Sequence, residues 1–307
     1  MRIGVDLGGT KVEAIVMDEA GAIKVRHRCD TPQGDYQGTV KAICALVKRI
    51  EQEAGIAGKN IPVGVGTPGA VSPYTGRLKG SNSVCLIGQP LREDLEACLA
   101  RPVRLANDAD CFALSEASDG AAAGAPVVFG VIVGTGCGGG FVVNGQLLQG
   151  GNAITGEWGH NPLPGPLDHE RPGTACYCGK SGCIETFISG TGYARDYNQV
   201  AGTQLTGKQV AERLAAGEKE AVEAIERYEH RMARALASII NVVDPHVIVL
   251  GGGMSNVARL YEEVPKLWGP YVFSDRVDTQ LVKAKYGDSS GVRGAAWLWP
   301  AQTAHVQ

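Results

Sequence analysis

The sequence predicts an α/β protein with two lobes around a cleft. The chain has 307 residues, which suits two domains of ordinary size. A strand, a glycine turn and a returning strand open the chain, and the same pattern comes back near its middle. Helical segments with one apolar face follow each of these hairpins. Two hairpin-and-helix units in one chain indicate a duplicated architecture whose halves face each other.

The first half is predicted to contain five strands and two helices. Apolar runs between turn residues indicate the strands, which we place at Arg2–Leu7, Lys11–Met17, Ala22–Arg28, Ile61–Gly66 and Val103–Ala106. Asp35 is suited to cap a helix, and apolar residues recur after it at helical spacing. This pattern predicts a helix over Tyr36–Ala54, and a second helix is predicted over Leu91–Leu99.

The second half repeats the strand–turn–strand opening and then becomes helical. Strands are predicted on both sides of a glycine turn at Gly134–Gly140 and again later, at Val127–Val133, Phe141–Val143 and Val247–Leu250. A long apolar stripe predicts a helix over Ala221–Val243, which ends before Pro245 because proline disfavours a helical residue ahead of it. A last helix is predicted to begin near Ser290.

Composition and charge exclude several classes of protein. Hydrophobic residues make up 44% of the chain, which excludes a disordered protein, and the net charge of −3 argues against binding to nucleic acid or an anionic membrane. Asp6 lies where a secretory signal needs an apolar run, so we expect a cytoplasmic protein. The uncharged stretch Pro126–Gly150 has the length of a membrane span, but its repeated glycines favour two buried strands.

Most of the nine cysteines are predicted to be reduced. They are too few for a disulfide scaffold in a chain of this length. We interpret the scattered ones as free residues of the core or surface, namely Cys29, Cys44, Cys85, Cys98, Cys111 and Cys137.

The other three cysteines form a candidate metal site. Cys176, Cys178 and Cys183 lie close together in a glycine-containing segment, and thiolates with one imidazole suit tetrahedral Zn²⁺. His160 is the favoured fourth ligand and His169 the competing one. A disulfide or three free thiols are the alternative interpretations, and a cytosolic location argues against the disulfide. Four protein ligands would make a closed structural site.

The first glycine turn is a candidate phosphate site. Gly8 and Gly9 lack a Cβ, so their backbone N–H groups can face an anion at close range, while Thr10 adds a hydroxyl and Lys11 a cation. Asp6, at the end of the preceding strand, can hold Mg²⁺ directly or through water. A glycine pair in a hairpin is more often only a type I′ turn. The polar neighbours favour the phosphate site here.

The second glycine turn matches the dinucleotide pattern G-x-G-x-x-G without its structural context. That fingerprint requires a helix directly after the glycines, whereas Phe141–Val143 is strand material. The P-loop pattern is absent from both turns. Two facing hairpins therefore fit a different kind of phosphate site.

Asp108 is a candidate catalytic base. It follows the strand predicted at Val103–Ala106, at the edge of an α/β sheet where ligand groups collect. A carboxylate there can accept a proton from a hydroxyl nucleophile. The alternative, which Asn107 and Asp108 alone favour, is that these residues cap the following helix.

Taken in order, these motifs resemble the ROK family of bacterial sugar kinases (repressor, open reading frame, kinase). The resemblance runs nearly end to end and is carried by Asp6–Lys11, Gly66–Gly69, Leu105–Asp108, Gly134–Gly138, Gly156–His160, Cys176–Glu185 and Gly251–Ser255. Within the family, three segments look most like bacterial fructokinase, also described as mannokinase: Ser72–Gly76, Gly156–Pro164 and Ala284–Trp299.

The resemblance implies the actin-like ATPase fold, which is related to ribonuclease H, with a zinc-binding loop. It implies a small α/β lobe over residues 1–116 and a large α/β lobe over residues 117–289. A C-terminal helix over about residues 290–307 would pack back onto the small lobe. The family also implies a homodimer.

The resemblance further implies a role for each motif. Asp108 would deprotonate and contact the sugar, and the other sugar contacts would be Gly69, Asn82, Asn107, Glu157, His160 and Glu185. ATP would be surrounded by Gly8, Gly9, Thr10, Lys11, Gly134, Thr135, Gly136, Gly251, Gly252 and Gly253, with Mg²⁺ at Asp6. A structural Zn²⁺ would be held by His160, Cys176, Cys178 and Cys183, although the proline-rich insert Asn161–Ala175 carries the competing His169.

The expected activity is phosphoryl transfer from ATP to a hexose. Fructose is the favoured substrate, giving fructose 6-phosphate, and mannose or glucose are further substrates. The alternative is an N-acetylglucosamine, N-acetylmannosamine or glucose kinase of the same family. A sugar-responsive repressor needs an N-terminal helix-turn-helix, for which a strand beginning at Arg2 leaves no room. A non-catalytic sugar-sensing regulator is the more distant alternative.

Overall fold

The structure, a computed structural model that describes residues 1–300, is built on two five-stranded mixed sheets. Within these residues the strands are β1 (Arg2–Leu7), β2 (Lys11–Met17), β3 (Ile23–Asp30), β4 (Val63–Thr67), β5 (Ala70–Val71), β6 (Leu78–Lys79), β7 (Val103–Asn107), β8 (Val127–Val133), β9 (Cys137–Val143), β10 (Gln146–Leu147), β11 (Val247–Gly251) and β12 (Gln280–Lys283). The helices are α1 (Tyr36–Glu53), α2 (Leu91–Leu99), α3 (Asp108–Ser118), α4 (Ile184–Ile188), α5 (Gly190–Ala201), α6 (Gly207–Ala215), α7 (Lys219–Val243), α8 (Leu260–Trp268) and α9 (Ser290–Trp297).

The two sheets share one plan. The first has the order β3-β2-β1-β4-β7, in which β1, β2 and β3 pair antiparallel and β4 and β7 continue the sheet in parallel. The second has the order β10-β9-β8-β11-β12, with the same change from antiparallel to parallel pairing. This duplicated plan is the actin-like ATPase fold, which the resemblance to the ROK family implied.

The strand β9 differs from its predicted bounds. It begins at Cys137, well before the predicted Phe141, so the glycine turn is shortened to Gly134–Gly136. Gly140 lies within β9, where α3 packs directly on it. A Cβ at Gly140 would lie 2.8 Å from the carbonyl oxygen of Ala109, so glycine is needed for this close contact. Glycines after the turn thus serve close packing of a helix on a sheet.

Each sheet is covered by its own helices and has its own core. In the first lobe α1 and α2 pack on the sheet, and Val5, Ile43 and Leu95 are fully buried. In the second lobe the long helix α7 is central, and its Ile225 and Leu236 are fully buried. The stretch Pro126–Gly150 forms strands and turns, and no helix in residues 1–300 is long and apolar enough to cross a membrane.

The helix α9 packs against β1, β4 and α3. Gly64 of β4 and Gly294 of α9 make this possible, since a Cβ on Gly64 would overlap the backbone of Ala295 and one on Gly294 the backbone of Cys111. The lobe boundary after residue 116 stays a prediction. The part of the predicted C-terminal helix beyond residue 300 lies outside the described residues.

Glu116 links α3 to the segment that leads into α9. Its buried carboxylate accepts hydrogen bonds from the Ser290 hydroxyl at 2.8 Å and from the backbone N–H groups of Lys285 at 3.0 Å and Tyr286 at 3.1 Å. These bonds satisfy a fully buried acid, whose desolvation would otherwise be costly. They also fix where α9 begins.

Two of the cysteines that were predicted to be free thiols are paired in the structure. Cys44 of α1 and Cys98 of α2 are joined as a disulfide, with their Cα atoms 6.6 Å apart. The two are separated by 54 residues, and only the packing of α1 against α2 brings them together. The other four scattered cysteines are free, as predicted: Cys29, Cys85, Cys111 and Cys137.

Candidate active site

The turn between β1 and β2 presents its backbone to solvent. The Gly8 N–H donates to the Lys11 carbonyl at 3.0 Å, while Gly9, Thr10 and Lys11 are exposed. The Thr31 hydroxyl donates to the Gly8 carbonyl at 2.8 Å and holds the turn from the β3 side. The exposed amides, hydroxyl and ammonium group are suited to an anion.

Asp6 at the end of β1 and Asp108 at the start of α3 are neighbouring carboxylates. Burial and the charge of Asp108 raise the pKa of Asp6 to about 6. Burial also raises the pKa of Asp108, although the Ala109 N–H, which donates to its Oδ1 at 2.9 Å, acts in the opposite direction. Two acids at one point are suited to binding a cation or accepting a proton.

Asn107, rather than Asp108, caps α3. The Asn107 Oδ1 accepts a hydrogen bond from the Asp110 N–H at 2.6 Å. The capping alternative therefore accounts for Asn107 alone, and the Asp108 carboxylate stays available to a ligand. Asp110 is a further, half-buried acid, and desolvation together with the charges of Asp108 and Glu157 raises its pKa to about 7.

Asn107 and Asp110 line a cavity of about 810 Å³ between the lobes. Residues of the edge strands β7 and β10 form its sides, and Thr155, close to Glu157 in sequence, also lines it. The polar ends of β7 and α3 therefore open onto space between the lobes, as a cleft requires.

The turn between β8 and β9 meets the N-terminus of α5. The Gly190 N–H donates to the Gly134 carbonyl at 2.7 Å, and the Thr191 hydroxyl donates to the Thr135 carbonyl at 3.0 Å. The helix has 12 residues, so the positive end of its dipole lies beside the turn. No sequence motif marked this helix.

Glu185 reaches the same turn from α4. Its Oε2 accepts a hydrogen bond from the Cys137 N–H at 2.9 Å. A Cβ on Gly136 would lie 2.7 Å from that oxygen, so glycine is required for the carboxylate to lie here. The structure thus places Glu185 between the second turn and the cysteine-bearing loop.

A cavity of about 1400 Å³ opens beside the second turn. Gly134 and Thr135 form one wall, α5 and α6 form another, and the segment after β11 forms the third. Charged and polar side chains also line this cavity, and no sequence motif had indicated them. They include Arg195, Asn198, Lys208 and Arg259. They lie on ordinary helices and loops, so no local pattern reveals them.

The three glycines after β11 have different surroundings. Gly253 lines the large cavity. A Cβ on Gly251 would lie 2.5 Å from the ring of Phe112, and Gly252 has a φ of 77° and packs on the backbone of Val133. Gly251 and Gly252 therefore allow close packing, and of the three only Gly253 reaches the cavity.

Gly69 and Asn82 lie in the small lobe near the first turn. Gly69 has a φ of 86°, and a Cβ there would lie 2.9 Å from the Ser81 nitrogen. Asn82 lines a cavity of about 500 Å³ together with Gly9 and Thr10. The structure therefore places Asn82 beside the first glycine turn.

His160, Cys176, Cys178 and Cys183 come together in one cluster. Their ligand atoms all lie within 4.8 Å of one another, with His160 Nδ1 3.5 Å from Cys176 Sγ and the sulfurs of Cys178 and Cys183 3.5 Å apart. The competing His169 is not part of any such cluster in residues 1–300. Three thiols and one imidazole fit a tetrahedral Zn²⁺ site.

The insert Asn161–Ala175 is fixed to the large lobe by buried ion pairs. Glu170 accepts hydrogen bonds from Arg231 Nε at 2.8 Å and from Arg234 Nη2 at 2.8 and 2.9 Å, and all three side chains are almost fully buried. Both arginines belong to α7. The loop that carries the cysteine cluster is therefore anchored to the central helix of this lobe.

Two further polar side chains lie near the cysteine cluster. His160 Nε2 lies 2.9 Å from the Tyr177 hydroxyl, and Glu157 is exposed just before the 3₁₀ turn that carries His160. Tyr177 was not singled out from the sequence, because it lies as a spacer between two cysteines.

Comparison with known proteins gives one consistent result. The family model described as "ROK family" matches residues 2–302. An N-acetyl-D-glucosamine kinase of Vibrio atlanticus is 39% identical over 302 residues, covering 97% of this chain and 99% of that protein. One of Yersinia pseudotuberculosis is 40% identical over 306 residues, covering 98% of this chain and all of that protein.

Solved structures agree on the fold. The ROK hexokinase from Thermus thermophilus superposes with a TM-score of 0.85 at 32% identity, covering 97% of each chain. A ROK family glucokinase from Streptomyces griseus, in complex with glucose and AMPPNP, gives a TM-score of 0.75 at 28% identity, covering 96% of this chain and 97% of that one.

The prediction of a fructokinase is wrong. Relatives at about 40% identity over the full length are named N-acetyl-D-glucosamine kinases, which supports the alternative drawn from the sequence. One segment that had suggested fructokinase, Ser72–Gly76, carries the highly exposed Tyr74 beyond the short strand β5. A surface segment of this kind is a poor guide to the sugar.

Proposed function

The chain belongs to the ROK family, and on that basis we propose that it is an ATP-dependent N-acetyl-D-glucosamine kinase. The observation that carries the proposal is the identity of about 40%, over nearly the whole chain, to kinases of that name. The site geometry supports it with a cavity of about 1400 Å³ beside the second glycine turn, an exposed first glycine turn and the Asp108 carboxylate at the start of α3.

ATP binding is proposed to use both turns. The adenosine moiety enters the cavity of about 1400 Å³, where Gly253 and the polar side chains of α5 and α6 contact it. The amides of Gly8 and Gly9, with Thr10 and Lys11, face the phosphates from the small lobe. The second turn, beside the N-terminus of α5, faces them from the large lobe.

Asp6 is the residue that would hold Mg²⁺, directly or through water. Its raised pKa of about 6 reflects a half-buried acid beside a second acid, a pair that a cation would stabilise. The bound ion supplies neutralisation of phosphate charge, which phosphoryl transfer requires.

Asp108 is the proposed base. It accepts the proton of the sugar hydroxyl as that oxygen attacks the terminal phosphorus of ATP, whose bond to the β–γ bridging oxygen breaks and releases ADP. Burial raises its pKa and so increases its affinity for the proton. Its position next to Asp6 brings the acceptor hydroxyl close to the site proposed for Mg²⁺.

Sugar recognition is assigned to the polar groups around this carboxylate. Asn107 uses its Oδ1 for the helix cap, so its amide nitrogen is the group available to the sugar. The remaining contacts are proposed to come from Gly69, Asn82, Glu157, His160 and Glu185. Such groups discriminate among sugars, because a buried polar group left without a partner costs about 1–3 kcal/mol.

His160, Cys176, Cys178 and Cys183 are proposed to hold a structural Zn²⁺. When bound, the ion crosslinks the loop that carries Glu157 and Glu185. Four protein ligands leave no open position for a reacting water. A homodimer stays a prediction.

A coupled assay of ATP turnover with a panel of sugars tests the function. The panel contains N-acetylglucosamine, N-acetylmannosamine, glucose, mannose and fructose, each measured for kcat and KM. N-acetylglucosamine is expected to give a kcat/KM at least about tenfold above the others, the effect of one or two well-placed polar contacts. A higher kcat/KM for any other sugar contradicts the proposal.

A further inference from the structure

We propose that Glu116 is a positioning residue for phosphoryl transfer. It holds the start of α9, beside Asp6, in a fixed place relative to α3, the helix that begins with Asp108. The inference rests on the proposed function, because it concerns the two acids assigned there to Mg²⁺ and to the sugar hydroxyl. Glu116 lies eight residues after Asp108 in α3, about 12 Å along the helix, and acts through the two helices.

Glu116 is a fully buried carboxylate that joins both chain segments connecting the two sheets. In the segment between α3 and β8, the Ala121 N–H donates to Glu116 Oε2 at 2.9 Å. In the segment between β12 and α9, the N–H groups of Lys285 and Tyr286 donate to the two Glu116 oxygens at 3.0 and 3.1 Å. One side chain therefore ties the outgoing connection to the returning one.

The fourth hydrogen bond joins Glu116 to the first residue of α9. Ser290 is fully buried, and its hydroxyl donates to Glu116 Oε1 at 2.8 Å. The next residue, Gly291, faces Asp6 of β1, since a Cβ on Gly291 would lie 3.1 Å from Asp6 Oδ2. Glycine thus lets the start of α9 lie against the Asp6 carboxylate. Glu116 is connected to that contact through two consecutive residues.

The opposite end of α3 is fixed to the second sheet by contacts that do not involve Glu116. Ala109, directly after Asp108, packs on β9: a Cβ on Gly140 would lie 2.8 Å from the Ala109 carbonyl oxygen, and one on Gly138 would lie 3.5 Å from the Ala109 Cβ. Loss of the Glu116 hydrogen bonds is therefore expected to leave Asp108 in place on β9. It is expected to release the start of α9 beside Asp6.

The relative position of Asp6 and Asp108 matters because the two acids are proposed to act on different reactants. Asp6 serves the phosphates through Mg²⁺, and Asp108 accepts the proton of the sugar hydroxyl. A misplacement of about 1 Å, caused far from the chemistry, costs on the order of 10²-fold in rate. A shift of Asp6 alone is therefore expected to slow transfer and weaken ATP binding. Sugar binding, to which Asp6 is not assigned, is expected to stay.

Two variants weaken the Glu116 contacts to different degrees. Glu116→Gln has nearly the same shape, but its NH2 group must face a donor, because each carboxylate oxygen accepts from at least one backbone N–H. Ser290→Ala removes only the bond to α9. The matched control is Glu51→Gln, since Glu51 is also a buried acid but pairs with Arg101 within the first lobe.

The measurement that separates positioning from stability is the coupling ratio, defined as sugar phosphate formed per ADP released. A partly unfolded preparation loses sugar phosphorylation and ATP hydrolysis in equal measure, so its ratio stays at the wild-type value. Misplaced groups slow transfer to the sugar, whereas attack by water on the terminal phosphorus, which releases ADP and phosphate, needs no positioned sugar hydroxyl. Steady-state assays also give kcat and the KM for ATP. Calorimetry without nucleotide gives the Kd for the sugar, and thermal unfolding gives Tm.

Glu116→Gln is expected to lower kcat about tenfold to hundredfold and to reduce the coupling ratio by about half or more. Its KM for ATP should rise, while its Kd for the sugar should stay within about threefold of wild type. Ser290→Ala should show the same pattern with a smaller loss of kcat, about threefold to tenfold. Glu51→Gln should lower Tm and leave the coupling ratio unchanged.

The inference is overturned if Ser290→Ala keeps the wild-type coupling ratio, whether or not Glu116→Gln folds. A sugar Kd that rises as much as kcat falls also overturns it, because the sugar site would then be what Glu116 supports. So does a fall in the ratio of Glu51→Gln as large as that of Glu116→Gln, since any buried acid would then have the same effect.

Failure of the proposed function has a separate signature, which the wild-type protein shows before any variant is made. If it phosphorylates another sugar in preference to N-acetylglucosamine, only the proposed substrate is wrong, and the variants are compared with that sugar. If it phosphorylates none of the five sugars, the proposed function is overturned, and this inference falls with it.

Discussion

Glu185 accepts a hydrogen bond from the backbone N–H of Cys137 at 2.9 Å, which joins the cysteine-bearing loop to the turn between β8 and β9. Cys183 lies two residues before Glu185 and belongs to the cluster proposed to hold zinc. Loosening that cluster therefore displaces a carboxylate that contacts the second glycine turn. The sites proposed for metal, sugar and nucleotide are therefore connected through this short segment.

Removal of the metal should lower stability and sugar affinity together. Cys178→Ser, or chelation of the purified wild-type protein, is expected to lower Tm by more than about 5 °C, since a closed zinc site contributes directly to folding free energy. The Kd for N-acetylglucosamine should rise in parallel, because Glu157, His160 and Glu185 lose their support. Calorimetry and metal analysis give both values.

Cys85→Ser is the control for this experiment, because Cys85 is a free, partly exposed thiol outside the cluster. It should retain wild-type metal content and Tm. Freshly purified wild-type protein without zinc would contradict the metal assignment.

Asp108→Asn should abolish most turnover and spare sugar binding. Removal of a general base typically costs about 10²–10⁴ in kcat. Asparagine keeps a similar shape and an acceptor oxygen, so the Kd for the sugar should change by less than about fivefold. Single-turnover kinetics and calorimetry separate the two effects.

The exposed Asp168 provides the control, since Asp168→Asn changes the same chemical group on the surface. It should show wild-type kcat. An Asp108→Asn enzyme with a kcat close to wild type would refute the assignment of the base.

Glu170→Ala should destabilise the large lobe strongly. It leaves Arg231 and Arg234 without their shared carboxylate in a buried setting, and breaking a buried pair of this kind costs about 3–5 kcal/mol. Glu263→Ala removes the half-buried partner of the exposed Lys266 and should cost less than about 1 kcal/mol. Urea unfolding measures both, and equal costs would show that the network does not anchor the insert.

Asp110→Asn should flatten the pH dependence of stability. Burial and the charges of Asp108 and Glu157 raise the pKa of Asp110 to about 7, so the folded state holds this proton more tightly than the unfolded state. The free energy of unfolding therefore falls as pH rises from about 4 to about 7. Asp6, with a pKa of about 6, contributes in the same direction.

The neutral amide introduced by Asp110→Asn has no such titration. The variant should unfold less readily than wild type at pH 8, by about 1–2 kcal/mol, and the difference should vanish near pH 4. Urea unfolding at several pH values tests this, with Asp168→Asn as the control. Parallel profiles for wild type and Asp110→Asn would contradict the prediction.

The parts of the site that carry local motifs were predictable from the sequence. Asp6 and Asp108 each end or follow a strand, and the topology places both at one edge of the first sheet. The cysteine cluster was predictable from its spacing, with His160 favoured as its fourth member, and the structure brings His160 rather than His169 to the three cysteines.

The rest of the site depends on tertiary packing. The walls of the large cavity are faces of α5 and α6, where Arg195 and Lys208 look like ordinary surface residues in the sequence. The pairing of Cys44 with Cys98 follows from the contact between two helices. Gly140 looked like a turn residue because a pattern of glycines does not reveal which helix will pack on them.

The contact between α9 and the first sheet has a consequence for biosynthesis. Residues 290–297 emerge from the ribosome long after β1 and β4. Gly4 and Gly64 in those strands nevertheless leave the space that α9 occupies, because a Cβ at either position would collide with the backbone of α9. The N-terminal lobe is therefore translated first, but it is complete only once α9 has been made. Gly4 and Gly64 stay uncovered while the other lobe is being translated. A nascent chain stalled before residue 290 should display this sheet face to chaperones.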